Sequence, residues 1–332
     1  MRGRSTVKVL LTDPALAGLA TRFADRLPDG VTVIAVSDFS DAEFRRLAVD
    51  ATVLVNARRP IDASTLQLSP AVRFIQQIGV GTDTIDRAAV AGAGVAVAYN
   101  PGVNSTGAAE HTLMLMLALI KRLPSTEQAT RAGQFAPGPI IERGIDDLAD
   151  ATVGLIGIGH IARAVAERLV PFGSRIVYHS RRPAPDVEER LGVRRLPFAQ
   201  LLEVSTIVSL HVPLTAETYH LVGEDEIAAM PRGSYLINAG RGGLVDEPAL
   251  RRAILSGQLA GAGLDVLERE NEGVNPFADL PQVLVTPHLG GGSRNSMTGV
   301  VERSSANIRR FLAGEPLQDE VVPLGDGAGR ML

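Results

Sequence analysis

The sequence predicts an α/β chain of two domains, each built on a parallel sheet, with a cleft between them. Three observations carry this. Short Val- and Ile-rich runs alternate with stretches of helical period from Thr6 onward, a long apolar helix interrupts them, and a second alternating series follows. A length of 332 residues suits about two domains, and 45% hydrophobic with 21% charged residues suits a globular chain with a sizeable core.

In the first series, strands are expected at Val7 to Thr12, Val31 to Val36, Thr52 to Asn56, Val72 to Gln77 and Val95 to Tyr99. Between the first two, Leu16, Leu19, Phe23 and Leu27 recur at helical spacing. Asn104 and Ser105 can cap the next helix, which runs through A-A-E-H-T-L-M-L-M-L-A-L-I-K-R and stops before Pro124. Lys121 and Arg122 suit its negative C-terminal end. Its centre is apolar all round, so burial between the domains is expected. Leu123 to Asp150, rich in Gly and Pro, reads as a less regular surface arm. The second series places strands at Thr152 to Ile156, Arg175 to His179, Thr206 to His211, Ser234 to Asn238, Gly261 to Val266 and Val283 to Thr286. A last helix, Ser296 to Leu312, follows the hinge Gly290 to Gly292, and the G-D-G-A-G-R tail should fray.

Composition removes several classes of function. A net charge of -4 offers no broad basic field, so neither nucleic acid nor a membrane surface is an expected partner. With no cysteine there is no disulfide, thiolate nucleophile or Cys-ligated metal. No H-E-x-x-H motif replaces it, and no metal is expected. The longest apolar run, Leu113 to Ile120, is far short of the ~20 residues of a membrane span. The N-terminus reads as a first strand and turn, since its apolar run is broken by Thr12, Asp13 and Pro14; the cytoplasm is the expected compartment.

Asp150 to Ala162 reads D-A-T-V-G-L-I-G-I-G-H-I-A, a strand followed by Gly157, Gly159 and Ala162 in the pattern G-x-G-x-x-A and then a helix from Arg163 to Val170. In a dinucleotide site Gly157 permits the tight turn, Gly159 lets a pyrophosphate approach the backbone, and Ala162 allows close helix packing. The helix N-terminus then offers free N–H groups to the phosphates. About 20 residues on, such sites usually carry a carboxylate for the adenosine ribose. Here the stretch is Y-H-S-R-R-P, with Ser180 where the acid would stand. Ser180 removes the repulsion that an acid would exert on a 2'-phosphate, and Arg181 and Arg182 offer hydrogen-bonding forks for it. NADP(H) is therefore the expected cofactor, with NAD(H) as the alternative. The competing view is a solvated basic turn balanced by Asp186, Glu188 and Glu189.

Three later segments combine chemistry, each just past a strand: I-N-A-G-R-G-G-L-V-D with Arg241, L-D-V-L-E-R-E with Asp265, Glu268 and Glu270, and V-T-P-H-L-G-G-G with His288. An Arg, a Glu and a His at neighbouring strand ends suit a carboxylated carbonyl compound, the Arg clamping the carboxylate while the His moves a proton and the Glu tunes it.

These segments, with N-P-G-V-N-S-T-G-A-A-E-H from Asn100 and H-V-P-L-T-A-E-T from His211, resemble the D-isomer-specific 2-hydroxyacid dehydrogenase family over nearly the whole chain. The resemblance implies two Rossmann-like or flavodoxin-like domains, with residues 1–103 plus 291–332 as substrate domain and 104–290 as NAD(P)-binding domain. Arg241 would bind the substrate carboxylate and carbonyl, and His288, paired with Glu270, would protonate the oxygen as hydride arrives. A carboxylate partner favours the protonated ring that this direction needs. Cofactor contacts are implied for Gly157, Gly159, His160 and Ile161 in the glycine loop and for Ser180, Arg181 and Arg182 in the turn. Others follow for His211, Val212, Pro213 and Thr218, for Ala239 and Gly240, and for Asp265 and His288 beside the nicotinamide. Val80 and Gly81, in I-G-V-G-T-D, would grip the substrate carboxylate through their amides.

The chain departs from the family pattern at Asn271, where Pro usually follows the catalytic Glu, at Phe135, where Trp is common, and at His160, where Arg is frequent. His111 reads as a packing histidine. Arg58 and Arg59, in V-N-A-R-R-P, are either a surface pair or, through Arg58, a cationic contact for a polar or anionic substrate substituent. The expected function is an NADPH-preferring reductase of small 2-oxo acids to D-2-hydroxy acids, of the glyoxylate and hydroxypyruvate type. Its rivals are an NAD-dependent relative such as phosphoglycerate dehydrogenase, whose added regulatory domain has no counterpart expected here, and a dinucleotide-sensing corepressor-like binding protein. The partners are thus a small 2-oxo or 2-hydroxy acid and, by resemblance, a second copy in a homodimer.

Overall fold

A computed structural model describes residues 7–135 and 137–322. In chain order the strands are β1 (Val7–Leu11), β2 (Val31–Ala35), β3 (Val53–Asn56), β4 (Phe74–Gln77), β5 (Ala96–Ala98), β6 (Thr152–Ile156), β7 (Arg175–His179), β8 (Arg194–Arg195), β9 (Ile207–Leu210), β10 (Ser234–Asn238), β11 (Leu259–Leu264), β12 (Val283–Val285) and β13 (Glu320–Val322). They form two sheets, in two compact units that divide after Asn104 and again before Arg294.

The first unit has the order β13-β5-β4-β3-β1-β2, parallel except for β13, which runs antiparallel to β5. Both faces are apolar, as a parallel sheet covered by helices requires. Leu10, Leu54, Ile75 and Val97 fill one face; Val9, Leu11, Val53, Val55 and Phe74 fill the other. The helix Arg294–Ala313 covers the second face with Val301, Ile308 and Phe311, whose ring stacks on Phe74 at 5.3 Å. Without β13, β2-β1-β3-β4-β5 is the flavodoxin-like order, which reverses between β1 and β3.

The second unit is a parallel sheet ordered β12-β11-β10-β9-β6-β7-β8, a Rossmann-like order reversing between β6 and β9. Val153, Leu155, Ile176, Tyr178 and Ile237 point to a layer that holds the helices Ser105–Ile120 and His160–Leu169. Ile156, Val177, Val208, Leu210 and Leu236 point to the other. The long helix is buried at ten of its sixteen residues, Leu115 and Met116 among them. A fully buried side chain of that size contributes about 1.5–3 kcal/mol over an exposed one, which explains why this helix needs no amphipathic pattern.

The caps expected for that helix are not made. The Asn104 Oδ1 and Ser105 Oγ atoms are buried without a hydrogen-bond partner. The helix also ends earlier, at Ile120, where Lys121 pairs with Asp147 and Arg122 takes a left-handed conformation and donates to the Gly144 carbonyl at 2.7 Å. The arm is more regular than its Gly and Pro content suggested, with helices Leu123–Arg131 and Gly138–Arg143. Pro124 starts the first of them: at the first turn its missing N–H has no helical partner to lose. Among the described residues no helix is long and apolar enough to cross a membrane.

Candidate active site

Gly157 follows β6 directly and takes φ +101°, a conformation that an L side chain rarely adopts. A Cβ there would lie 2.4 Å from the His211 carbonyl oxygen, so only glycine lets the loop after β6 pass the loop after β9. Gly159 differs: it precedes the helix His160–Leu169 with φ -74°, and a Cβ on it would meet nothing within 4 Å. Its open side lies at a helix N-terminus, where free N–H groups favour an anion. A dinucleotide pyrophosphate fits this unobstructed approach. His160 is exposed and Ile161 half-buried at the helix start. Arg163 donates from Nε to the Ile158 carbonyl at 3.1 Å and pairs with Asp186, which holds that carboxyl below its ordinary value.

The turn after β7 is braced from several sides. Tyr178 is fully buried; its hydroxyl donates to Glu188 and accepts the Ala184 N–H at 2.8 Å. Ser180 Oγ donates to the Arg182 carbonyl. Arg195, on β8, donates to the Ser180 carbonyl from Nε and Nη2 at 3.2 and 2.9 Å. Arg181 and Arg182 are exposed. Of the three carboxylates that might have balanced them, Asp186 is engaged by Arg163 and Glu188 by Tyr178, while Glu189 is exposed. The sequence reading passed over Tyr178, Arg163 and Arg195. For Arg195 the available signal was a second Arg-Arg pair between a helix and the next strand.

The loop after β9 carries His211, Val212 and Pro213. Thr218 folds it back, with Oγ1 donating to the Pro213 carbonyl at 2.7 Å and accepting the Thr215 N–H at 2.8 Å. His211 Nε2 lies 2.9 Å from Ser209 Oγ, and burial pushes the imidazole down to about 4, so the ring is neutral at physiological pH.

At the end of β10, buried Asn238 shapes the turn that presents Arg241. Its Oδ1 accepts the Gly240 N–H at 3.0 Å and its Nδ2 donates to the Arg241 carbonyl at 2.8 Å, with Ala239 between them. The next residue, Gly242, lies flat against the following loop: a Cβ would fall 2.0 Å from the Leu267 carbonyl carbon. This close approach ties the Arg241 turn to the segment that leads into Glu270.

Asp265, one residue past β11 and 1% exposed, organises the last strand end. It accepts from Thr286 Oγ1 at 2.6 Å, the Leu289 N–H at 2.8 Å and the Gly290 N–H at 2.7 Å, and His111 Nε2 lies 3.1 Å away. Burial pushes its carboxyl up, but these hydrogen bonds together outweigh burial and hold it below the ordinary value. His288 sits in the loop so held, with φ +55° and its N–H on the Asp265 carbonyl at 2.8 Å. Non-glycine residues in this region are uncommon and collect at functional sites. His288 Nδ1 is 2.9 Å from Glu270 Oε1 and 3.2 Å from Oε2, with side-chain exposures of 34% and 27%. Glu268, the other acid of that segment, instead accepts from Tyr219 Oη at 2.6 Å and lies 3.4 Å from His220. His111, read as a packing histidine, is also 2.8 Å from Thr286 Oγ1 and so belongs to the Asp265 network.

In the second unit, then, residues of the glycine loop, the 180–182 turn, the 211–218 loop, Arg241, Asp265, Glu270 and His288 all follow strands of one parallel sheet, at its C-terminal edge. Ligands bind at that edge in open α/β sheets. The remaining candidates belong to the first unit. Val80 and Gly81 follow β4 in a part-exposed turn. Arg58, after β3, forks onto buried Asp13 at 2.8 and 3.1 Å and lies over the Phe39 ring. Arg59, 5% exposed, donates to Asp41 and to the Phe39 carbonyl and covers the Phe44 ring, a packing role. The pair is therefore split in role. Among the described residues no group of His, Asp and Glu could hold a metal ion.

Comparison with known proteins bears on the family and the fold. A family model described as the D-isomer specific 2-hydroxyacid dehydrogenase, NAD binding domain, matches residues 113–290. A glyoxylate reductase of Korarchaeum cryptofilum is 38% identical over 259 residues, 77% of this chain and 78% of that protein. A D-3-phosphoglycerate dehydrogenase of Mycobacterium leprae is 34% identical over 269 residues, 81% of this chain and 50% of that protein. Among solved structures, a D-lactate dehydrogenase from Aquifex aeolicus, complexed with NAD and lactic acid, superposes with a TM-score of 0.80 at 27% identity, covering 93% of this chain and 96% of that one. The family model spans more than half of the chain, and the strand-end residues supply a dinucleotide loop and an Arg, Glu and His set: the chain belongs to the D-isomer specific 2-hydroxyacid dehydrogenase family, oxidoreductases that work by NAD(P)-dependent hydride transfer.

Proposed function

We propose that the protein is an NADPH-preferring reductase of small 2-oxo acids, of the glyoxylate and hydroxypyruvate type, yielding D-2-hydroxy acids. The observation that carries the cofactor half is Ser180 at the end of β7, with Arg181 and Arg182 exposed beside it and Asp186 and Glu188 engaged elsewhere. The substrate half takes support from the glyoxylate reductase of Korarchaeum cryptofilum. When bound, the nicotinamide supplies a hydride to the substrate carbonyl carbon. Arg241 holds the substrate carboxylate and polarises the carbonyl. Glu270 at Nδ1 fixes the ring and tautomer of His288, so that Nε2 gives its proton to the carbonyl oxygen and regains one from solvent afterwards. Asp265 keeps the His288 loop in place. Arg58 takes a polar or anionic substituent, within the limits set by its fork onto Asp13.

Steady-state reduction of glyoxylate, hydroxypyruvate and pyruvate with NADPH and NADH in parallel tests the reading. NADPH should give the higher kcat/KM, and Ser180→Asp with Arg181→Ala and Arg182→Ala should reverse that preference. Arg241→Ala and His288→Ala should each lower kcat/KM by about 100-fold or more. Equal or better efficiency of the native protein with NADH would turn the assignment toward the NAD-dependent relatives, and near-normal rates in the alanine variants would remove the catalytic roles.

A further inference from the structure

Strand β8 is only two residues long and pairs with β7 through Val177↔Arg194 and Tyr178↔Arg195. It adds little sheet, but it places a guanidinium under the cofactor-selecting turn. Arg195 reaches the Ser180 carbonyl with Nε and Nη2 at 3.2 and 2.9 Å, and the Arg181 carbonyl with Nη2 at 3.3 Å. In a planar trans peptide the N–H points opposite the C=O. With both carbonyls turned onto Arg195, the N–H groups of Arg181 and Arg182 face the other side together. Successive amides that face one way form a small concavity for an anion. The guanidiniums of Arg181 and Arg182 are exposed at the same turn.

We infer that Arg195 is a positioning residue for a phosphate monoester. It holds the Ser180 and Arg181 carbonyls so that the amides and guanidiniums of Arg181 and Arg182 converge on the adenosine 2'-phosphate of NADPH. The inference rests on the NADPH reading of this turn. Arginine suits the task because its planar fork meets neighbouring acceptors at once, whereas lysine offers a point charge. Holding the turn before the ligand arrives avoids the ordering cost that a loose basic turn would meet on binding.

Calorimetry on the full chain with 2',5'-ADP and 5'-AMP tests this apart from turnover, since the two probes differ in the 2'-phosphate alone. The native protein should bind 2',5'-ADP at least about tenfold more tightly. Arg195→Ala should reduce that preference about tenfold, with 5'-AMP affinity nearly constant as the control for folding, and Arg195→Lys should recover part of the loss. In kinetics, KM for NADPH should rise while KM for NADH moves much less. If Arg195→Ala weakens both nucleotides alike, or neither, the positioning role falls. Should Arg181→Ala with Arg182→Ala still abolish the preference, the NADPH reading survives and the Arg195 role alone is lost. A native protein that binds both probes equally overturns both.

Discussion

Two polar residues show how single side chains set this site. Asp265 accepts hydrogen bonds from two amides and a threonine hydroxyl, and through them the loop of His288 is fixed by a residue that is itself almost wholly buried. His211 is held neutral, its imidazole pushed down to about 4 by burial. The sign follows from linkage. At pH 7 the ring is neutral both folded and unfolded; as pH falls through 6.5 the unfolded chain takes up a proton that the folded chain refuses until about pH 4. Stability should therefore fall across that window, by on the order of 3 kcal/mol from this group, and His211→Asn should flatten the acid limb there. Urea unfolding of both proteins at stepped pH checks this; parallel curves would show that His211 is not the group responsible.

Among the elements, the loop from β6 into the helix His160–Leu169 separates fold from function within three residues. Gly157→Ala meets both a positive φ and the His211 carbonyl at 2.4 Å, so it should cost stability as well as cofactor affinity, about 1–3 kcal/mol for the backbone alone. Gly159→Ala meets nothing within 4 Å and should fold with stability within about 1 kcal/mol of native, yet weaken NADPH binding at least about tenfold by filling the pyrophosphate approach. Thermal unfolding and calorimetric titration of the two variants would disprove the distinction if both lost stability equally, or if Gly159→Ala bound normally. Sequence periodicity served well where a strand is long and buried on both faces: β6, β7 and β10 lie where Val, Ile and Leu runs put them. It failed for β8 and β13, which are short and partly charged and exist through pairing with β7 and β5. It also failed in the arm, where Pro124 lies in the first turn of a helix that the Gly and Pro content did not suggest.

For the whole molecule, the net charge of -4 repels an anionic cofactor at long range, so under the proposed NADPH preference the attraction is local, at the exposed Arg181 and Arg182. Such a contact is exposed and screenable. Raising ionic strength from about 0.01 to about 0.15 M shortens the screening length from ~30 to ~8 Å. KM for NADPH should then rise several-fold, and KM for NADH much less; equal shifts would place the attraction at the pyrophosphate, which both cofactors share.

The sequence by itself determined the class of fold, the family and the residues at the strand ends, because hydrophobic period and short motifs are local properties of the chain. Arg241, Glu270 and His288 could be named from them, as could the missing acid at Ser180. Only the tertiary structure decided the partners. It turned Glu268 onto Tyr219, gave Asp265 the 286–290 loop, sent Arg59 into packing, and brought Arg195 beneath a turn 14 residues before it. Hydrogen bonds between loops depend on strand order and register across the sheet, and these follow from how the helices bury its two faces rather than from any pattern within one segment.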